Sequence, residues 1–568
     1  MRPAARPPSV CVLTLAAMLG ASDAASAAAD CPPGNAAFAG MYDDASLFTG
    51  AIAKVATFEP SNVRPSGVVV PHHLQADHLV ALGFQAASAF TYRRIVILAP
   101  DHFRQAKTPF ATTRRGFETA LGSVATDQDS VDQLLAGNAG LVEESCLFAT
   151  DHGTQALLPF VSHYFSTAEI IPIAISIKSG RADWDRMADA LAPLIDTDTL
   201  VLESTDFSHY LPQHEARRFD QQTLNLIAAG SLDQLALLRQ PDHLDSLGAL
   251  YIQMKLQQRL FSAAPLVIAN ESSQQYSALP VAETTSYNVI LFGSFGSQHN
   301  DPSPESVNIY YLAGDTNFGR AMKRALLKEG AGERIADEIH SRTKGRPMIV
   351  NLEGVVLPNV PEAIDDMTLA MPEELALEWL RKLNVVAVGL ANNHALDLGE
   401  SGYAETARAL DGAGILRFGQ GEVLALPGID IVGLSDIDTN AAQQFDLIGP
   451  ELLDRLVRPD AGRPVVAYVH WGREYIAQPS EREAALADAM RLRSVTVIAG
   501  GHPHVASDKL TTAAGGETIE AYSLGNFLFD QTADRSSGAL LELRVFKQGT
   551  VFARLIPLPN LFDLAKNP

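Results

Sequence analysis

The sequence predicts a layered α/β protein with two domains in tandem, and three observations carry that expectation. The chain has 568 residues, more than one compact core accommodates. Its 47% hydrophobic and 19% charged residues fit packed globular domains rather than disordered chain. In both halves, apolar runs of strand type end in polar turns and are followed by segments of helical period, the alternation of a layered α/β fold.

The chain opens on a segment that is not fold. Arg2 and Arg6 precede an apolar run over residues 10–21, which gives way to small residues ending in Ala27, Ala28 and Ala29. This is the layout of a secretory signal peptide over residues 1–29. The run is shorter than the ~20 residues a spanning helix needs, and no later stretch is long and apolar enough to span a bilayer. The expectation is an exported protein, periplasmic or extracellular. Cys11 leaves with the signal, and an oxidising compartment permits a disulfide between Cys31 and Cys146. A formal net charge of −23 excludes a nucleic-acid partner, which needs a basic face.

The first domain, over residues 40–297, repeats one pattern of strand followed by ligand-type residues. SGVVVPHH ends at His72 and His73, RRIVILAPDHF at Asp101 and His102, and DTLVLESTDFSHY at Asp206 and His209. DHGTQALLPFV places Asp151 and His152 ahead of a helix-like segment. Asp206 and His209, at i and i+3, share a face if a helix begins there. A polar, proline-bearing stretch follows, with the linker at residues 298–305.

The second domain, over residues 306–562, carries the pattern five times. VNIYYLAGDTN ends at Asp315 and Asn317, PMIVNLEG at Glu353, NVVAVGLANNH at Asn393 and His394, PVVAYVHWGREY at His470 and Glu474, and SVTVIAGGHPHV at His502 and His504. Ligands of open α/β sheets gather beyond the carboxyl ends of strands, so the five turns are expected to converge on one metal centre. Asp315 and Asn317 point the same way in extended chain, and a carboxylate oxygen there suits Mg²⁺, Mn²⁺ or Zn²⁺. Asn393 offers a carbonyl oxygen, His394 an acid or stabilising group facing substrate, and Asp397 a brace behind a histidine. Asn392 or Asn393 is placed to cap a helix beginning near His394. His502 and His504, two apart at a strand end, can enter one coordination sphere. Helices are expected over residues 372–384, 400–412 and 481–492.

With these motifs in hand, the second half resembles the CapA family of capsule (poly-γ-glutamate) biosynthesis proteins. GDTNFGR, NLEG, ANNHALDLG, HWGREY, GGHPHV and SLGNFLFDQ stand in that family's order. The resemblance implies a calcineurin-like metallophosphoesterase fold, an αββα sandwich. It also implies metal ligation by Asp315, Glu353, Asn393, His470, His502 and His504, with His394 and Asp397 as the catalytic pair. Asn317, Arg320, Glu474 and Asn526 are the substrate-binding candidates. The chain departs from the wider metallophosphoesterases at Asn317, where they carry a histidine.

The first half looks like the Memo family, whose α/β fold is similar to that of class III extradiol dioxygenases. PHH, LAPDH, DHGTQALLPF and STDFSHY carry the likeness. It implies a second metal-type site over His72, His102, His152, Asp206 and His209. Asp151 stands where that family has glutamate, and Leu247, before Gly248, where it has a late cysteine.

Together the resemblances imply an exported hydrolase or transferase that uses divalent metal (Mn, Zn, Fe or Mg). Its substrate would be an anionic capsule or envelope polymer or a phosphate ester, gripped by metal and by Arg320 and Arg473, and its partners capsule synthesis or export proteins. Two alternatives stand beside this: a non-catalytic assembly or export factor whose metal-type sites bind or brace, and a Memo-like redox-metal activity in the first half, disfavoured by Leu247.

Overall fold

The computed structural model describes residues 36–566 apart from 297–298, 362–364, 366, 439–443 and 457–461. The signal segment, with Cys11 and Cys31, lies outside the described residues. Cys146 is disulfide-bonded. Among the described residues no helix is long and apolar enough to cross a membrane.

In the first half, eight strands form one sheet. Their order is Val142–Glu144, Phe110–Thr112, Glu169–Ile175, Arg94–Pro100, Thr199–Ser204, Gly67–Val70, Ser286–Gly293 and Ala264–Ser272. The four central strands run parallel, and such strands are covered on both faces, so they read as unbroken apolar runs. Val68, Ile95, Ile97 and Leu202 pack on one side with Leu79, Val80 and Phe84 of helix Asp77–Ala87. Val69, Val96, Leu98 and Val201 pack on the other with helices Arg181–Leu191 and Leu247–Leu256. Each such buried side chain contributes roughly 1.5–3 kcal/mol. The neighbouring strands Arg94–Pro100, Thr199–Ser204 and Gly67–Val70 lead at their carboxyl ends into His102, Asp206 and His72.

No helix begins at Asp206. Phe207 bridges to Leu244, and its N–H donates to the Ser286 carbonyl at 2.9 Å, so the backbone there is spent on sheet-like bonding. The helix Gln213–Ala228 starts only after Pro212.

The second half is an αββα sandwich of two six-stranded sheets. One has the order Leu416–Phe418, Val385–Gly389, Met348–Leu352, Asn308–Thr316, Gly538–Val545, Val551–Leu558. The other runs Val423–Leu426, Ile429–Ser435, Val465–His470, Val497–Gly501, Ile519–Ala521, Thr511–Thr512. Leu312, Ile349 and Leu541 of the first meet Ile431, Val466 and Val497 of the second in a shared core. The Tyr468 hydroxyl donates across that core to the Ala313 carbonyl. Helices Ala331–Thr343 and Glu373–Lys382 cover one outer face and Glu481–Arg491 the other.

The expected second helix runs Gly399–Ala413 and does not reach back to His394. Asn392 Oδ1 accepts the His394 N–H at 3.1 Å, a side-chain turn that leads the chain through 393–398. Gly399, at φ +66°, then opens the helix.

The halves are joined by more than the linker. Helix Gln213–Ala228 lies along strand Val551–Leu558, where the Gln221 amide donates to the Val551 carbonyl at 2.7 Å and accepts its N–H at 2.8 Å. Gln548 donates to the buried Asp220 at 3.2 Å, and Asn225 to the Gly516 carbonyl at 2.8 Å. Arg544, 1% exposed, bonds Ser303 at 2.6 Å and Asp301 at 3.1 Å in the joining segment. Glu542 sits between Arg544 and Arg554.

Candidate metal centre

Both sheets of the sandwich end at one cluster. Asp315, Glu353 and His504 each offer a donor atom within 4.8 Å of the others. Asp315 Oδ1 accepts from Asn351 Nδ2 at 2.8 Å and lies 3.7 Å from His470 Nδ1. Asp315 Oδ2 lies 3.2 Å from His504 Nδ1 and accepts the His502 N–H at 3.1 Å. His470 Nε2 meets Asn393 Oδ1 at 2.7 Å, and Glu353 Oε1 lies 4.0 Å from His470 and 3.8 Å from His394 Nε2. His502 stands beside His470, ring centres 4.9 Å apart.

The backbone is bent to bring these groups in. His502 and His504 hold φ of +90° and +58°, conformations that cost a non-glycine residue roughly 1–3 kcal/mol each and concentrate at functional sites. Gly501 precedes them because a Cβ there would meet Asp315 Oδ1 at 2.8 Å.

Electrostatics couple the groups of the cluster to one another. Burial, then the Asp315 charge, push Glu353 up to about 8. Asp315 is held well below the usual carboxylate range: burial opposes ionisation, but the His504 bond and the charge of His470 outweigh it. Burial takes His502 down to about 4 and His470 well below the imidazole range. His504 goes up to about 9, since the bond to Asp315 and the nearby carboxylates overcome burial. Glu353 Oε2 and His502 Nδ1 are buried without a hydrogen-bond partner, which costs roughly 1–3 kcal/mol apiece. A mixed set of carboxylate, amide and imidazole donors with two unsatisfied atoms fits a divalent cation such as Mn, Fe or Zn.

The remaining candidates surround this cluster. Asp397 Oδ2 sits 2.9 Å from His394 Nδ1 and accepts the Leu369 N–H at 2.7 Å, so the imidazole turns its Nε2 toward Glu353. Asn526 Oδ1 lies 2.8 Å from His504 Nδ1. Asn317 is buried, and its amide joins the Glu353 carbonyl at 2.8 Å to the Gly319 N–H at 2.7 Å. That side chain ties two turns together. Arg320 grips Asp530 through Nε and Nη2 at 3.1 and 2.6 Å and lies over Phe529, itself stacked near His504. Glu474 is exposed and adds to the field that raises Glu353. Asn351 and Asn392, bonded to each other at 3.0 Å, brace the centre; Asn351 does not stand out in the sequence, and Asn392 does so only as a cap.

In the first half, His72, His102 and His152 form one donor group, and His72, Asp206 and Asp245 another. His72 Nε2 faces His102 Nε2 at 3.1 Å, Asp245 Oδ2 at 3.1 Å and Asp206 Oδ2 at 3.7 Å. Behind them, Ser204 holds His72 Nδ1 at 3.2 Å, and Asp151 holds His102 Nδ1 at 3.0 Å. His152 stacks on His102 with ring centres 3.9 Å apart, and His209 Nε2 lies 3.9 Å from Asp206. Asp151 and Asp245 hold His102 up at about 10 against burial, while burial and the neighbouring imidazoles take His152 down to about 4. Asp245 is the member that sequence reasoning missed. It stands two residues before Leu247, a buried leucine packed in the core.

Residues 36–274 match the family described as Memo-like protein, and residues 310–427 and 452–531 match bacterial capsule synthesis protein PGA_cap. Capsule biosynthesis protein CapA of Bacillus anthracis is 29% identical over 276 residues, covering 44% of this chain and 66% of that protein. PGA biosynthesis protein CapA of Bacillus subtilis is 27% identical over 271 residues, covering 44% of this chain and 70% of that protein. A MEMO1 family protein of Methanopyrus kandleri is 26% identical over 179 residues, 30% of this chain and 62% of that protein. The chain thus spans roughly two thirds of the length of these relatives. Among solved structures, a novel phosphatase from Mycoplasma pneumoniae aligns at TM-score 0.30 and 17% identity, covering 45% of this chain and 99% of that one.

Proposed function

We propose that this chain, a Memo-like domain followed by a CapA-type capsule-synthesis domain, acts outside the cytoplasm as a metal-dependent hydrolase or transferase on capsule or envelope polymer. One observation carries the reading: Asp315, Glu353 and His504 arrive from two different sheets with donor atoms within 4.8 Å. Asp315, Glu353, Asn393, His470, His502 and His504 would hold the cation. When bound, a divalent cation supplies Lewis-acid charge and a water of lowered pKa. Asp397 fixes the His394 ring, whose Nε2 is thereby placed to hold or release a proton at the reacting group. Arg320, kept at the site by Asp530, would meet an anionic group of the substrate, and the exposed Glu474 would accept from a hydroxyl or amide of it. The disulfide at Cys146 supports an oxidising, extracytoplasmic location. In the first half, His72, His102, Asp206 and Asp245 supply a separate cation site.

The test is metal analysis of the purified chain together with a phosphoesterase and polymer-cleavage screen, with and without chelator. Activity that ignores chelator rejects the metal-dependent reading. Deletion of the gene is expected to remove capsule material, and an intact capsule rejects the polymer role.

A further inference from the structure

On a protein of net charge −23, one cavity gathers positive charge. A space of about 590 Å³ lies between the two halves, lined by His214, Arg217, Arg218, Arg463, Arg491 and Arg493. Among the described residues, Glu517 is the only carboxylate that lines it. None of the metal-centre residues reaches it. Arg463 and Thr496 precede strands Val465–His470 and Val497–Gly501, so the cavity sits at the amino edge of the sheet whose carboxyl edge carries His470 and His502. One strand of this length separates the two by about 20 Å at ~3.3 Å per residue.

Three of these arginines are neutralised: Arg463 by Asp430 at 3.2 Å, Arg491 by Asp488 at 2.7 Å and Arg493 by Asp454 at 2.6 Å. Two are not. Arg217 gives its Nη1 to the Gly462 carbonyl across the domain boundary, and Arg218 lies 4.5 Å over the Phe219 ring. Burial lowers Arg217 from the ordinary guanidinium range, the penalty of a partly desolvated cation. Guanidinium forks match carboxylate and phosphate geometry, and the volume is within the ordinary range for ligand pockets.

We propose that this inter-domain cavity binds a multivalent oxyanion, a ligand presenting several carboxylates or phosphates close together, through Arg217 and Arg218. The site draws residues from both halves, so it exists only in the fused chain. It is independent of the metal centre, and its failure leaves that reading intact.

The experiment is titration of the full-length chain with hexaglutamate and, separately, with tripolyphosphate, followed by calorimetry at low salt. Saturable binding of one ligand per chain is expected, weakened at least ~10-fold in Arg217→Gln/Arg218→Gln, as loss of charge-assisted hydrogen bonds implies. Binding is expected to persist in His502→Ala/His504→Ala. Preference for hexaglutamate identifies a carboxylate chain and preference for tripolyphosphate a phosphate ligand; either supports the site. Should the double variant misfold, Arg218→Gln alone carries the test, since its exposed side chain lies over the Phe219 ring and makes no ion pair or hydrogen bond among the described residues. The proposal is overturned by no saturable binding of either probe, by unchanged affinity in the arginine variants, or by loss of binding in the histidine variant instead.

Discussion

The two histidine clusters follow the same rule and are built differently. In the first half, His72, His102 and Asp206 come from three neighbouring strands of a single sheet, with Nε2 atoms turned inward and Nδ1 atoms held from behind by Ser204 and Asp151. In the second half, Asp315, Glu353 and Asn393 come from one sheet, and His470, His502 and His504 from the sheet facing it. The first cluster therefore depends on the register of one sheet, completed by His152 and Asp245 from the segments beside it. The second also depends on how two sheets pack, and it adds left-handed backbone at His502 and His504. A centre built across a packed core is more demanding to assemble, and it brings more kinds of donor to one point.

Four measurements break or sharpen this contrast, from the largest effect to the smallest. In His502→Ala/His504→Ala, bound metal at the second centre is expected to vanish and its activity to fall at least ~100-fold, while metal at the first centre stays. His72→Ala/His102→Ala is expected to show the reverse pattern in metal content. Loss of both metals in either variant, read by elemental analysis, would show that the clusters are not separate. Next, Glu542→Gln leaves the buried Arg554 without its carboxylate and Arg544 with Asp301 alone; roughly 3–5 kcal/mol of stability should go, seen in a denaturant midpoint for the second half.

The third concerns Asp220, fully buried under the domain boundary and pushed up to about 6 by burial despite bonds from Ser286, Ser208 and Gln548. Its folded value lies above the unfolded 3.8, so its favourable contribution is complete below about pH 4 and is lost as pH rises through 6. Asp220→Asn should flatten the melting temperature between pH 4 and 7 relative to the parent, a difference of up to ~3 kcal/mol. An identical pH dependence in both proteins rejects the assignment. The smallest effect is Tyr468→Phe, which removes the hydroxyl joining the two sheets and should cost about 1 kcal/mol. A measurable drop in metal affinity should accompany it at the second centre only.

The sequence makes the two-domain α/β organisation legible, because apolar runs such as VNIYYLAG and VVVP end at polar turns with helical segments behind. His72, His102, Asp315, His470 and His504 stand out for the same reason. Asp245 does not, because it arrives on the approach to helix Leu247–Leu256 with no strand before it. Nor can the sequence divide the second half's strands between two sheets, since an apolar run does not reveal which neighbours it pairs with. Helix onset at Gly399 escapes reading as well: Asn392 has cap chemistry, but here it closes a turn and not a helix. The arginines of the inter-domain cavity lie as far apart as residues 217 and 493, and only folding brings them together.

The Gln221 clamp on Val551 has a consequence for anyone who divides this chain. Strand Val551–Leu558 is the last in its sheet, paired on one side by Gly538–Val545. A truncated protein lacking residues 213–228 presents that flank bare, a template for pairing with another copy. The shortened form should self-associate during purification, and the amino-terminal half thereby acts as an internal guard against aggregation of its neighbour.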